Sequence, residues 1–406
     1  MKSNLSLAIL LLFLSLSYSY SQQYGWTNIG GNLPSGTGTS SMSDFYFVSA
    51  NEGWICSSAL GEIYHTTDGG QTFTTQTTQY YTNAIHMLSS SEGYAGGYNG
   101  RVYRTTDGGA TWNVLGSVGS SLLSLSFPPS STTGYCCGDK GTIYTINSSG
   151  VSAMSSGVSS SLRSISFPSS GLGWTCGGFI ILNYDGLTWN EQDSPLGSSY
   201  NGIYMVNSNT GFAVGASGLI VATSNGGIGW TKQTSPTTAS LNDVFFLNAS
   251  EGWAVGNSGV ILHTTNGGSD WSIEGSGLTT NMLRAVQFTS STNGYILGNN
   301  GTLLKYNQTT GIENIDGQNR NTKLVQNYPN PFNSTTLLKY TLHEPGNVRL
   351  AVYNQQGQMI SLMVNEYQLA GKHTATFNGS DLPSGVYYIR INTADKCETG
   401  KMMLIK

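Results

Sequence analysis

A glycine followed by an aromatic residue recurs at near-constant spacing along the chain, in seven copies. The copies are Gly53-Trp54, Gly93-Tyr94, Gly134-Tyr135, Gly173-Trp174, Gly211-Phe212, Gly252-Trp253 and Gly294-Tyr295, spaced 38 to 42 residues apart. A period of about forty residues is the length of one propeller blade. One period reads in full from Leu241. "LNDVFFLN" alternates like a strand, "ASEG" turns the chain and "WAVG" is a second strand. "NSG" is a tight turn, "VILHTT" a third strand, and "NGGSD" turns into a fourth that starts at Trp271. Four strands joined by hairpins make one blade. The spacing therefore predicts an all-β chain with a seven-bladed β-propeller over residues 22–310. The last period, "LLKYNQTTG", lacks a fourth-strand aromatic, whereas "YGWTNIG" places Trp26 ahead of the first. The N-terminal segment is expected to complete the seventh blade and so remove an open sheet edge.

The composition agrees with short strands and many turns. Only 9% of the 406 residues are charged, 53 are glycine and 11% are aromatic; about 25% charged is usual. A net charge of −4 leaves no basic footprint for nucleic acid. Met1-Lys2 precedes the apolar run "LSLAILLLFLSLS" and the small-residue stretch "SYSYSQ". That layout predicts a secretory signal peptide over residues 1–21. The run is shorter than the roughly 20 residues a membrane span needs, so no transmembrane anchor is expected in the mature chain.

A second phrase recurs at the same spacing: "HTTDGGQTF" from His65, "RTTDGGATW" from Arg104 and "HTTNGGSDW" from His263. It falls between the third and fourth strands of a period. There Asp or Asn can bond its own backbone and glycine accepts positive φ. The closing Trp or Phe is expected to plug the space between sheets. The phrase is centred on Asp68, Asp107, Asn225 and Asn266, with Asp185 in the shortened "YDGLTW" and degenerate copies in "TINSSG" and "YNQTTG". Recurrence at blade spacing favours a structural turn over a calcium loop, and no metal or cofactor is expected. The phrase resembles the Asp-box, or bacterial neuraminidase repeat. Residues 26–310 resemble the seven-bladed family that includes photosystem II assembly-factor-like, sortilin-type and sialidase-type propellers. "GWAVGNSGVILHTTNGGSDW" (Gly252–Trp271) is most similar to the assembly-factor-like branch. That resemblance implies a binding protein rather than a catalyst.

Residues 311–326 are polar and read as a linker. Beyond them "NYPNPFNSTTLLKYTL", "VRLAVYNQQGQMI" and "LPSGVYYIRI" alternate apolar and polar residues between turns. Residues 327–406 are thus expected to form a small β-sandwich of about seven strands. Tyr328-Pro329-Asn330-Pro331-Phe332-Asn333, "VYNQQG", Gly371 before "TATF", "SGVYYIRI" and the basic Lys401–Lys406 tail resemble a type IX secretion C-terminal sorting domain. The resemblance implies export by the type IX machinery, with the product secreted or attached to the outer-membrane surface.

Chemistry is sparse. The repeat region holds only Arg101, Arg104, Arg163 and Arg284, too few and too scattered for the arginine cluster of a sialidase. Glu52, Glu92 and Glu251 precede the glycine-aromatic anchor and belong to a turn, and Arg104 shares a slot with His65 and His263. Cys56, Cys137 and Cys176 occupy a slot that holds Gly96, Val214, Val255 or Leu297 in other periods. Cys136 and Cys397 have no such explanation, and a disulfide between neighbouring blades stays open. One constellation remains. Ahead of each first-strand core stand Ser43, Asn83, Leu123, Arg163, Asn201, Asn242 and Arg284, followed in two cases by Asp44 and Asp243. If first strands line a central channel, these residues ring its mouth, with Tyr80, Tyr81 and Tyr200 in adjoining loops. Such a ring suits a glycan or a protein loop, although the plainer reading, side chains that satisfy backbone groups at strand starts, comes first. The function expected is binding or adhesion at a site drawn from Asn83, Arg163, Asn201, Asn242, Asp243 and Arg284, with no catalytic residue assigned. The alternative is a glycoside hydrolase using Asp44 and Asp243.

Overall fold

The computed structural model describes residues 24–34, 41–59, 61–195, 197–308, 326–342, 346–369, 371–393 and 397–406. The expected signal peptide lies outside the described residues, as does the expected linker up to residue 325. The chain separates into two compact units that divide between Thr309 and Thr310.

The first unit contains seven four-stranded antiparallel sheets, numbered here in chain order. Sheet 6 runs Leu241–Phe246, Gly252–Gly256, Ile261–Thr264 and Ser272–Glu274. The first strands of sheets 1 to 5 are Met42–Phe47, Thr82–Met87, Leu122–Ser126, Ser164–Ser169 and Tyr200–Met205. That of sheet 7 is Leu283–Ser290. Each first strand packs beside the first strands of the preceding and following sheets, and Leu283–Ser290 packs beside Met42–Phe47. The sheets therefore close in a cycle with first strands innermost. Sheet 7 takes its fourth strand from the N-terminus: Tyr24–Asn28 pairs with Leu303–Gln308, setting Trp26 opposite Tyr306.

Geometry explains the glycine-aromatic pair. The glycine faces the Phe or Met at or next to the end of its own sheet's first strand. A Cβ on Gly53 would stand 2.4 Å from the Phe47 ring, one on Gly134 2.5 Å from Phe127, and one on Gly211 2.0 Å from the Met205 sulfur. The aromatic reaches the other way, onto the next sheet's copy of that Phe. Tyr135 lies 3.7 Å from Phe167, Phe212 3.8 Å from Phe246, and Trp253 3.7 Å from Phe288, centroid to centroid. Tyr295 on Phe47, at 3.7 Å, carries the same contact from sheet 7 to sheet 1. The missing Cβ leaves room for a large side chain, and that side chain is the platform for the neighbour's ring. The core is accordingly divided into clusters between sheets, such as Phe212, Phe246 and Trp271 between sheets 5 and 6.

The "NSG"-type turns have positive φ at both central residues, as at Asn99-Gly100 (54° and 68°) and Ser258-Gly259 (60° and 71°). That is the type I′ hairpin, whose twist matches the flanking strands. Cys56, Cys136, Cys137 and Cys176 are buried free thiols, and Cys136 packs with Tyr94 and Leu122 between sheets 2 and 3. The inter-blade disulfide left open by the sequence does not form among these four.

The second unit has a three-stranded sheet of Gln326–Tyr328, Thr335–Leu342 and Gly371–Asn378. Its four-stranded sheet is ordered Met359–Gln368, Gly346–Tyr353, Gly385–Asn392 and Cys397–Leu404. Leu338, Tyr340 and Phe377 from the first sheet share one core with Leu350, Ile389 and Met402 from the second. Among the described residues no helix is long and apolar enough to cross a membrane.

Candidate functional site

Six of the seven ring positions share a backbone feature that sequence periodicity does not reveal. Ser43, Asn83, Leu123, Asn201, Asn242 and Arg284 are each the extra residue at a break in first-strand register. A bulge leaves one residue unpaired and re-aims its side chain. Here the side chain turns toward the next sheet. Asn83 Nδ2 donates to Leu122 O at 3.0 Å, Asn201 Nδ2 to Leu241 O at 2.8 Å, and Asn242 Nδ2 to Leu283 O at 2.7 Å. Ser43 Oγ donates to Thr82 O at 2.8 Å. In each case the acceptor immediately precedes the next sheet's copy of the position. The amides are thus brought together in one ring, with a hydrogen already committed to the neighbouring sheet. Arg163 remains exposed, with Nη1 2.9 Å from Asn201 Oδ1. Arg284 is half-buried, and its Nε donates to Asn299 Oδ1 at 2.5 Å.

One step further along the first strands, a second ring accepts where the first donates. Asp44 Oδ2 takes the Ile85 N–H at 3.1 Å and Asp243 Oδ2 the Val286 N–H at 2.9 Å. Ser124 and Ser164 do the same for Ile165 and Ile203. Asp44 and Asp243 thus stand in a slot that serine also fills. Both are half-buried on the innermost strands. Burial pushes the Asp44 carboxyl up to about 7, with repulsion from Asp243 adding to it and two backbone N–H donors opposing. Burial likewise pushes Asp243 up to about 6. A raised folded-state value means that stability is fully present below the unfolded value near 4 and is lost as pH rises through about 7. Burial holds His86 down at about 3, which acts in the opposite direction over the same range. The readout is therefore a difference between chains. From pH 4 to pH 8 the stability of Asp44→Asn should improve relative to the parent by on the order of 2–3 kcal/mol, measured by urea unfolding. A pH-independent difference would mean that Asp44 ionises freely.

The same end of the first strands carries exposed aromatic surface. Tyr80 and Tyr81 are 38% and 43% exposed, and Tyr98, from the type I′ turn of sheet 2, is 49% exposed. Tyr81 and Tyr98 lie 5.8 Å apart, and the Arg101 guanidinium sits 5.3 Å above the Tyr80 ring. Tyr200 does not join them. It is fully buried in the core of sheets 4 and 5, with its hydroxyl on Pro195 O at 2.8 Å, because it fills the slot one residue ahead of the bulge that Met42, Leu122 and Leu241 fill in other sheets. Tyr98 and Arg101 were missed in the sequence. The available signal was a tyrosine where other turns carry Ser58, Asp139, Ala216, Asn257 or Asn299.

The opposite end of the sheets carries the recurrent hairpins. Asp68 Oδ1 accepts the Gln71 and Thr72 N–H groups at 2.9 Å each, and Asp107 Oδ1 the Thr111 N–H at 2.9 Å. Asn225 and Asn266 accept from Gly229 and Asp270, and Asp185 from Leu187 and Thr188. Donors from Thr72 hold the Asp68 carboxyl down at about 2. The hairpins also join sheets: Trp54 Nε1 donates to Gly108 O at 2.9 Å and Trp174 Nε1 to Gly226 O at 3.2 Å. The slot shared by His65, Arg104 and His263 pairs with the turn glutamates. The distances are 3.4 Å to Glu52, 2.8 Å to Glu92 and 3.4 Å to Glu251. Among the described residues no three His, Cys, Asp or Glu side chains gather into a metal site.

Residues 181–277 match the family described as photosynthesis system II assembly factor YCF48, and residues 326–406 match the secretion system C-terminal sorting domain. A solved structure of YCF48 bound to D1 peptide is 20% identical with a TM-score of 0.59, covering 71% of this chain and 96% of that one. YCF48 from Cyanidioschyzon merolae is 18% identical with a TM-score of 0.57, covering 70% and 98%. The WD40 beta propeller domain of Doa1 is 12% identical with a TM-score of 0.58, covering 71% and 98%. No curated protein matches the chain. The chain thus carries a YCF48-like propeller domain followed by a sorting domain. The sorting domain implies handling by the type IX secretion system and export to the cell surface or the extracellular space.

Proposed function

We propose that the seven sheets are the blades of a seven-bladed β-propeller spanning residues 22–310, exported as a secreted or cell-surface binding module. A signal peptide at 1–21 starts the export and a linker at 311–326 leads to a β-sandwich sorting domain at 327–406. The hairpins at Asp68, Asp107, Asp185, Asn225 and Asn266 are Asp-boxes whose work is structural. Ligand binds on the face opposite to them, across Tyr80, Tyr81 and Tyr98 and toward Arg163 at the channel mouth.

The observation that carries this reading is the tyrosine cluster with its stacked arginine. Aromatic and arginine side chains exposed together are the residue types enriched in binding surfaces. They share a face with Arg163, the exposed cation of the ring. YCF48 was solved with a peptide bound, which favours a polypeptide over a glycan as ligand. The ring residues Asn83, Asn201, Asn242 and Asp243 shape the mouth while holding neighbouring sheets together. A glycosidase reading gains no support from Asp44 and Asp243, whose carboxylates serve a slot that Ser124 and Ser164 also serve.

Peptide and glycan arrays probed with the full chain test this directly. A subset of peptides should be retained uncut, and Tyr81→Ala and Arg163→Ala should each weaken retention at least tenfold with unchanged thermal unfolding. Retention indifferent to both substitutions would place the site elsewhere. Release of sugar product from a glycan would replace binding with hydrolysis.

A further inference from the structure

The four-stranded sheet of the C-terminal unit turns one face to the core, through Leu350, Val352, Ile389 and Ile391. Its other face does not read like an ordinary solvent surface. Arg349, Tyr353, Tyr388, Arg390 and Lys401 stand there on three adjacent strands, with Tyr388 opposite both Tyr353 and Lys401. Tyr367, Leu362 and Met403 extend the face at 62%, 45% and 39% exposure. The carboxylates of this sheet are elsewhere: Glu366 stands opposite Val348 and Glu398 opposite Ile391, both on the core-facing side. Three cations and three tyrosines thus share a face with no carboxylate among the described residues.

The two arginines are held in place. Arg349 Nη1 donates to the Tyr353 hydroxyl at 3.3 Å and its Nη2 to Met359 Sδ at 3.4 Å. The Arg390 guanidinium lies 5.2 Å from the centre of the same Tyr353 ring. Arg390 Nε is buried and has no hydrogen-bond partner. Arginine, tyrosine and methionine are enriched in protein interfaces, where glutamate is depleted.

We infer that this face is a docking surface for an acidic protein surface of the secretion apparatus that handles the domain, with Arg349, Arg390 and Lys401 supplying the complementary charge. Complementary charge steers encounter and rejects wrong partners. The Arg349–Tyr353–Arg390 stack presents its donors already ordered, which lowers the entropic cost of docking.

The test uses the full chain in a host with a working type IX system, measuring the exported fraction. Arg349→Glu/Lys401→Glu should cut export at least tenfold while a protease-resistant chain accumulates inside the envelope, and Arg349→Lys/Lys401→Arg should restore it. Lys339→Glu/Lys372→Glu makes the same charge change on exposed positions of the other sheet and should leave export unchanged. Equal export of both charge-reversed chains, or equal loss, overturns the proposal. Should the first pair fail to fold, Tyr388→Ser/Lys401→Gln at exposed positions replaces it under the same criteria. Purified full chain that sediments with phosphatidylglycerol vesicles through these residues would assign the face to lipid and overturn the protein partner. Deleting residues 326–406 is the separate control. Export that survives the deletion would remove the sorting role itself, whereas export that needs the segment but not the face would sink only this inference.

Discussion

Trp253→Ala is expected to destabilise the propeller domain by about 3–5 kcal/mol, the range for losing a large buried aromatic. The ring is wholly buried, lies 3.7 Å from Phe288 of the next sheet and is stacked 4.5 Å from His263 of its own. Its Nε1 donates to Glu274 at 3.0 Å. Alanine would leave a cavity between sheets 6 and 7 and strip Glu274 of that donor. Leu187→Ala, at a side chain 88% exposed, makes the contrast and should stay within about 0.5 kcal/mol. Urea unfolding followed by fluorescence and by circular dichroism checks both. A loss below about 1 kcal/mol at Trp253 would mean that the contact between sheets is incidental.

That residue also shows how far the sequence could be read. The glycine-aromatic period was legible because every sheet must repeat the same solution. Its cause was not, since the clearance at Gly252 is for Phe246 of its own sheet whereas Trp253 serves Phe288 of the next. Such a contact links positions about 35 residues apart, and no local pattern announces it. The ring positions were legible as a repeating slot ahead of each first strand, yet the bulge that turns Asn83 and Asn242 toward a neighbouring carbonyl depends on strand pairing. Tyr200 shows the converse error. It reads as a loop residue beside Tyr80 and Tyr81, but its N–H pairs with Gly178 O at 2.7 Å and its side chain enters the core. Its register position is the one that Met42, Leu122 and Leu241 take in other sheets, one residue ahead of the bulge. Position along the chain was legible, whereas the direction of a side chain was set by the adjacent sheet.

The seam where the two ends of the domain meet should be its most sensitive point. A chain lacking residues 22–28 is expected to lose at least about 5 kcal/mol relative to one that begins at residue 22, a large share of the 5–15 kcal/mol that stabilises a typical domain. The lost strand pairs from Tyr24 to Asn28 against Gln308 to Leu304. It carries Trp26, 7% exposed, which meets Phe288 edge-on at 5.5 Å and Tyr306 at 5.1 Å. Burying a tryptophan removes about 150–250 Å² from water, worth roughly 4–6 kcal/mol at 25 cal/mol per Å². The deletion would also bare the ladder edge of Leu303–Gln308, a template for pairing with another chain. Trp26→Ala keeps that edge covered and should show the packing loss alone, with a chain that stays monomeric. The deleted chain should both unfold earlier and self-associate, read by thermal unfolding and light scattering. If deletion and substitution behave alike, the strand acts only as a carrier for Trp26; if the deletion alone aggregates, edge closure is its second and separable role.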